Sequence, residues 1–156
     1  MKIQWKTLIL CLAIPLGVGA LSALLTMGNM RDYATLNRPP LSPPGWLFPV
    51  VWSILYLLMG YASYLIVTSQ AAAVEKRQAL TAYGAQLLAN FLWPLLFFGL
   101  KWYLAAFFLL IVLWVLIYIT IRRFSGIWEL AGDLLLPYIL WVTFAGYLNL
   151  GIYLLN

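Results

Sequence analysis

Histidine is absent from this chain of 156 residues, cysteine occurs once, and charged residues make up only 8%. Each scarcity removes a class of chemistry. Cys11 alone can form neither an intrachain disulfide nor a cysteine-based metal site. Nothing resembles a nucleophile paired with a base, a metal-ligating cluster or a phosphate loop. A soluble domain carries roughly a quarter charged residues, so this chain lacks the polar groups to cover a globular surface. With 65% hydrophobic residues, most of it is expected to be solvated by lipid. The net charge of +5 does not point to nucleic acid, because the nine Lys and Arg stand singly or in pairs at the ends of apolar runs. Interface anchors in a membrane are placed that way.

Those runs cover about 7–27, 46–69, 79–100, 102–121 and 130–154. Each holds the roughly 20 residues a helix needs to cross the hydrocarbon. A spanning segment must satisfy its own backbone hydrogen bonds, and these runs are too long and too evenly apolar for barrel strands. The expected architecture is therefore all-α: a single bundle of five transmembrane helices over residues 1–156 with one long connection, 28–45. Lys2 and Lys6, followed by small residues at 19–23, resemble the start of a signal peptide. The apolar run continues to Met27, so a retained span is expected. Lys2, Lys6, Lys76, Arg77, Arg122 and Arg123 fall on one side of the membrane, and Arg31, Arg38 and Lys101 on the other, six against three. The positive-inside rule then places the N-terminus in the cytoplasm and the 28–45 connection outside.

That connection contains Pro39, Pro40, Pro43 and Pro44 within six residues. Each fixes its own φ and biases its predecessor toward an extended shape. A stiff, aromatic-bearing loop between two spans suggests a lid over the bundle interior. Three spans also carry stripes at helical spacing: Trp52, Tyr56, Gly60 and Ser63; Gln86, Asn90, Trp93 and Phe97; and Tyr138, Trp141, Ala145, Leu148 and Asn149. Polar groups inside spans are costly and need a reason. Interhelical packing is the commoner one. The other is a pocket for a large, flat, apolar ligand with a few polar edges, since aromatic faces favour flat rings.

The remaining features read as structural. Gly17, Gly19, Ala20 and Ala23, together with Ala85 and Ala89, fit small-residue helix contacts, within the bundle or in a dimer. Trp5, Trp102, Tyr103 and Trp128 are expected in interface belts. Glu129 and Asp133 are expected to pair with Arg122 and Arg123 at the membrane surface.

Three blocks together carry a resemblance. The first is Tyr33, Leu36, Arg38-Pro39, Pro43-Pro44, Trp46, Phe48, Trp52, Leu55-Tyr56 and Met59-Gly60. The second is Ala85-Gln86-Leu87 with Asn90, Trp93 and Phe97-Phe98-Gly99. The third is Leu136-Pro137-Tyr138, Trp141, Phe144-Ala145 and Leu148-Asn149. In this order they resemble the tryptophan-rich sensory protein and translocator protein family, also called the peripheral-type benzodiazepine receptors.

The resemblance implies a five-helix bundle, usually a homodimer, with the first loop capping a ligand cavity, and it tips the stripes toward a pocket. It implies porphyrins such as protoporphyrin IX as ligands, with no required cofactor, no metal and no catalytic residue. Its cavity positions match Tyr33, Trp52, Tyr56, Asn90, Phe97, Trp141, Ala145 and Leu148. Two departures stand out. Leu41 replaces a tryptophan common in the family, and no basic residue follows Tyr147 or Tyr153, where a proposed sterol pattern needs one. Sterol is therefore not the expected ligand. The resemblance leaves three roles: a receptor or sensor in a bacterial cell membrane, a transporter of tetrapyrroles, or a light- and oxygen-dependent degrader of porphyrin using cavity tryptophans. No span carries a central charge of the kind that lines a translocation path, which favours the first.

Overall fold

The computed structural model describes residues 2–156 and is all-helical. Five of its helical segments are long and apolar enough to cross a membrane. The elements are α1 (Trp5–Thr26), a 3-10 helix (Met27–Thr35), α2 (Leu47–Val67), α3 (Ala73–Pro94), α4 (Tyr103–Ile127), α5 (Glu129–Asp133) and α6 (Leu136–Leu155). A π-helical turn, Leu95–Gly99, prolongs α3.

The boundaries differ from the sequence expectation where local chemistry adds a turn. Glu75, Lys76 and Arg77, which precede the span expected at 79–100, lie inside the first turns of α3, where Glu75 complements the positive helix terminus. The last span is divided, because Pro137 at the start of α6 has no N–H to continue the helix from α5. The first part of the lid is itself helical, and only the proline stretch beyond it is irregular.

In lipid, packing rather than water exclusion holds helices together, so close backbone approach matters. One close approach of backbone to backbone joins α1 to α2. A Cβ placed on Gly60 would stand 2.7 Å from the Cys11 carbonyl oxygen and 2.7 Å from Leu12 Cα. Pro15 lies inside α1 and cannot donate to that carbonyl, which is therefore free to face Gly60. Around the bundle α1 packs on α2 and α3, α3 on α4, and α4 on α6. The core includes Met59, Ile66, Leu113, Ile117, Phe124, Leu135 and Tyr138.

Several surface expectations are corrected. Tyr103 packs on Phe97 at 4.9 Å between ring centroids, and Trp128 lies half-buried against the core, so both rings also take part in the packing of the bundle. Trp5 and Trp102 are exposed, as belt residues would be. Arg123 donates to Gln78 Oε1 at 2.9 Å, and among the described residues the ion pair found is Lys101–Asp32, not one from Glu129 or Asp133. Ala89 is buried within the bundle, which removes it from any contact between copies.

Candidate functional site

The lid is fastened to the C-terminal end of α6 and to the connection that precedes α4. Pro39 packs so closely on Gly151 that an added Cβ there would stand 2.6 Å from the proline ring. The Tyr147 hydroxyl donates to the Pro40 carbonyl at 2.7 Å. Asn156 Nδ2 donates to the Asn37 carbonyl at 2.8 Å, and the Asn37 N–H donates to Asn156 Oδ1 at 3.2 Å. Asp32 pairs with Lys101 at 2.8 Å, and that hydrogen bond raises the lysine above its ordinary pKa. The pair is solvent-exposed and screened by salt, whereas the packing of the buried Pro39 on Gly151 is not. Leu41, where the family often has tryptophan, is 83% exposed at a φ of 71° and does not line the cavity.

Beneath the lid is a cavity of about 600 Å³. Its walls come from α1, the lid, α2, the end of α3 and α6, and none of its lining residues is charged. Tyr33 hangs from the lid, edge-on to Phe48 at 5.4 Å, with the Arg38 guanidinium 5.0 Å above its ring. Trp52 stacks on Tyr56 at 5.6 Å on the α2 wall. Opposite, Trp93 stacks on Phe97 at 5.1 Å. Phe97 sits on the π-turn after Pro94, which redirects the side chains there. Trp93 Nε1 donates to Asn149 Oδ1 at 3.0 Å, and Asn149 Nδ2 donates to the Tyr103 carbonyl at 2.8 Å, fixing this wall. Asn90 forms a polar point near Tyr56, whose hydroxyl donates to it at 3.1 Å. Ala145 and Leu148 complete the α6 side.

Of the eight positions singled out from the sequence, Tyr33, Trp52, Tyr56, Asn90, Phe97, Ala145 and Leu148 line this cavity. Trp141 does not. It lies in a shallower apolar groove between α2 and α6, with Val51, Ile54 and Pro137, and meets the cavity wall at Phe48, 5.9 Å between ring centroids. Its indole nitrogen is shielded from solvent and has no acceptor.

The stripes do both jobs that the sequence left open. Gly60 and Ser63 continue the α2 stripe into tight packing, while Trp52 and Tyr56 face the cavity. Tyr138 and Gln86 are buried in the core, while Asn149 and Trp93 line the cavity. The α1 wall was missed. Gly19 leaves room for the Tyr56 ring, and Ala20 and Ala23 border the cavity while remaining exposed. Their small size was legible, but its use as a gap rather than a contact was not. Ser53 and Pro49 of α2 and Gly45 of the lid are exposed lining residues that, with Ala20 and Ala23, open the cavity sideways between α1 and α2.

The fold and site define an integral membrane protein with a lidded, aromatic internal cavity. A family model described as the TspO/MBR family matches residues 11–155. The chain is 36% identical over 157 residues to the "Tryptophan-rich protein TspO" of Chlorobaculum tepidum, covering 100% of this chain and 99% of that protein. It is 34% identical over 149 residues to the "Tryptophan-rich sensory protein" of Cereibacter sphaeroides, covering 96% and 90%. It is 37% identical over 133 residues to the "Translocator protein" of Bos taurus, covering 84% and 79%. The chain belongs to the TspO/MBR family.

Proposed function

We propose that this protein is a membrane receptor or sensor that takes a flat, largely apolar ligand of the tetrapyrrole type, such as protoporphyrin IX, from the lipid. The observation that carries this reading is the cavity itself. Stacked pairs, Trp52–Tyr56 and Trp93–Phe97, stand on different walls of an uncharged space with a polar point at Asn90. Aromatic faces favour flat rings through offset stacking, and a volume near 600 Å³ is in the range of small-molecule sites. The sideways opening supports uptake from the membrane rather than from water. Purification with native lipid, followed by mass spectrometry of the co-purified small molecule, tests the reading. A tetrapyrrole is expected, and an acyl lipid alone would count against it.

A second reading is favoured by one observation. Trp52, a readily oxidised ring, is on the cavity wall and stacked on a tyrosine. That placement suits participation in porphyrin breakdown in light and air. A Trp52→Phe variant that keeps affinity but loses bleaching of bound porphyrin would establish this reading over simple holding. Transport has no comparable support, because no charged residue lines the cavity.

The membrane is proposed to be a bacterial cell membrane, with the N-terminus in the cytoplasm, from the six-to-three distribution of Lys and Arg. In a Cys11→Ser background, cysteines at Thr35 and Ala72 should label from opposite faces of intact cells. Labelling of Ala72 from outside would reverse the orientation. A homodimer is also proposed. With Ala89 buried, the exposed α3 face at Gly84 and Leu88 is the surface for it. The mass of the detergent-solubilised particle checks this, and a monomer mass would remove it.

A further inference from the structure

The proline stretch of the lid descends the outer face of α6. Asn37 meets Asn156 beyond the last turn, Pro39 packs on Gly151, and the Pro40 carbonyl accepts from Tyr147. Gly151 stands four residues before Leu155, the last residue of α6, and Tyr147 stands four residues before Gly151. At ~1.5 Å per residue these positions lie about 6 and 12 Å below the helix end. Both share a helix face with Leu140 and Leu154, which are 69% and 70% exposed. On a helix long and apolar enough to span the membrane, an exposed apolar face is the one that meets lipid. Residues 39–41 therefore lie along the lipid-facing side of α6, below its end.

The chemistry of the segment suits that position. Hydrocarbon offers no partner to a backbone polar group. Pro39, Pro40, Pro43 and Pro44 have no N–H, so Leu41 and Ser42 carry the only two between 39 and 44. The Pro39 carbonyl accepts from Ser42 Oγ at 2.7 Å, and the Pro40 carbonyl accepts from Tyr147 Oη at 2.7 Å. Leu41 follows at a φ of 71°, a left-handed conformation that is strained for a leucine and free for a glycine. That turn directs the side chain outward, 83% exposed. Single exposed leucines are ordinary on a protein surface. One held out by a strained turn, beside two carbonyls already paired by hydroxyls, is not. In water a glycine or asparagine would serve this turn better. In lipid the leucine is stabilised by removal of its apolar surface from water.

We propose that residues 39–42 are a membrane anchor, the tip of the lid entering the upper acyl layer of the leaflet on its own side, with Leu41 as the inserted side chain. The partner is lipid. The N–H groups of Leu41 and Ser42 donate to ester carbonyls at the glycerol level, a depth in keeping with a segment one to two turns below the helix end. The carbonyls of Pro39 and Pro40 need nothing from the lipid, because Ser42 and Tyr147 serve them. The lid is thereby tied to the bilayer as well as to α6, at the level from which an apolar ligand would reach the opening between α1 and α2.

The test uses the full chain in lipid nanodiscs without ligand, so it stands apart from the proposed function. In a Cys11→Ser background a nitroxide is attached to Leu41→Cys. Leu140→Cys is the lipid-facing reference, and Thr35→Cys, exposed at the end of the 3-10 helix, is the aqueous one. Oxygen concentrates in lipid, whereas a nickel chelate stays in water. The label at Leu41→Cys should be relaxed several-fold more by oxygen than by the chelate, as at Leu140→Cys, with the reverse at Thr35→Cys. Chelate access at Leu41→Cys equal to that at Thr35→Cys would put the tip in water and overturn the proposal. Shielding from both agents would mean that protein covers the tip, as a second copy of the chain would, and would also overturn it. Leu41→Trp gives an independent reading should the thiol variant fold poorly. Its fluorescence beyond that of the parent should be quenched by lipids brominated in the upper acyl chain. Added emission that bromine leaves unchanged would count against insertion.

Discussion

Trp52→Leu should weaken protoporphyrin IX binding several-fold, read as the loss of saturable quenching of tryptophan fluorescence. The Trp52 ring lines the cavity, stacks on Tyr56 at 5.6 Å and meets Tyr138 edge-on at 6.1 Å, so its face is held in place before any ligand arrives. Losing one held ring from a stacked pair costs on the order of 1 kcal/mol or more, a several-fold change in affinity. Trp5→Leu supplies the control, because Trp5 is 64% exposed at the start of α1 and does not line the cavity. Trp141→Leu is the discriminating variant. Read from sequence alone it belongs with Trp52, but its ring stands behind Phe48 in the outer groove. Its effect should therefore be smaller than that of Trp52→Leu. Equal losses at Trp52 and Trp141 would mean that Trp141 enters the cavity when ligand binds. Equal binding by all three variants would remove the cavity assignment.

The contrast between Trp52 and Trp141 marks how far the sequence could be read. Span number and class were legible because lipid tolerates so few solutions. An apolar run of sufficient length must close its own backbone hydrogen bonds, and five such runs leave little but a bundle. Helical spacing likewise put Trp52 and Tyr56, or Ala145 and Leu148, on shared faces. Spacing does not say what a face meets at each height along the helix. The α2 stripe meets open cavity at Trp52 and the backbone of α1 at Gly60. Trp141 follows the periodicity of its stripe but faces the groove between α2 and α6. The wall formed by Gly19, Ala20 and Ala23 escaped for the opposite reason. Small residues read as contacts, yet here their missing atoms make room for the Tyr56 ring and for the opening. The hydrogen bonds from Tyr56 to Asn90, from Asn90 to Tyr138 and from Tyr138 to Gln86 join three helices, and single-helix spacing carries no information about such pairs.

Gly60→Val should be the most damaging single substitution in the bundle. Its Cβ would fall 2.7 Å from the Cys11 carbonyl oxygen and 2.7 Å from Leu12 Cα, and these are backbone atoms that no rotamer change can move aside. Relief requires α1 to shift away from α2. Overpacking in a core costs about 1–3 kcal/mol, and opposition by backbone places this case at or above the upper end. The damage reaches the ligand site as well, because α1 and α2 are the two edges of the sideways opening. Gly17→Val is the matched control, since a Cβ at Gly17 meets nothing within 4 Å. The lone thiol provides the measurement. Cys11 is 7% exposed and lies at this helix contact, so a thiol-reactive fluorophore should label it only when α1 separates. On heating in detergent, Gly60→Val should label at a markedly lower temperature than the parent, while Gly17→Val should follow the parent. If Gly60→Val kept the parent's labelling temperature, the close approach of α1 to α2 would not be what holds this side of the cavity together.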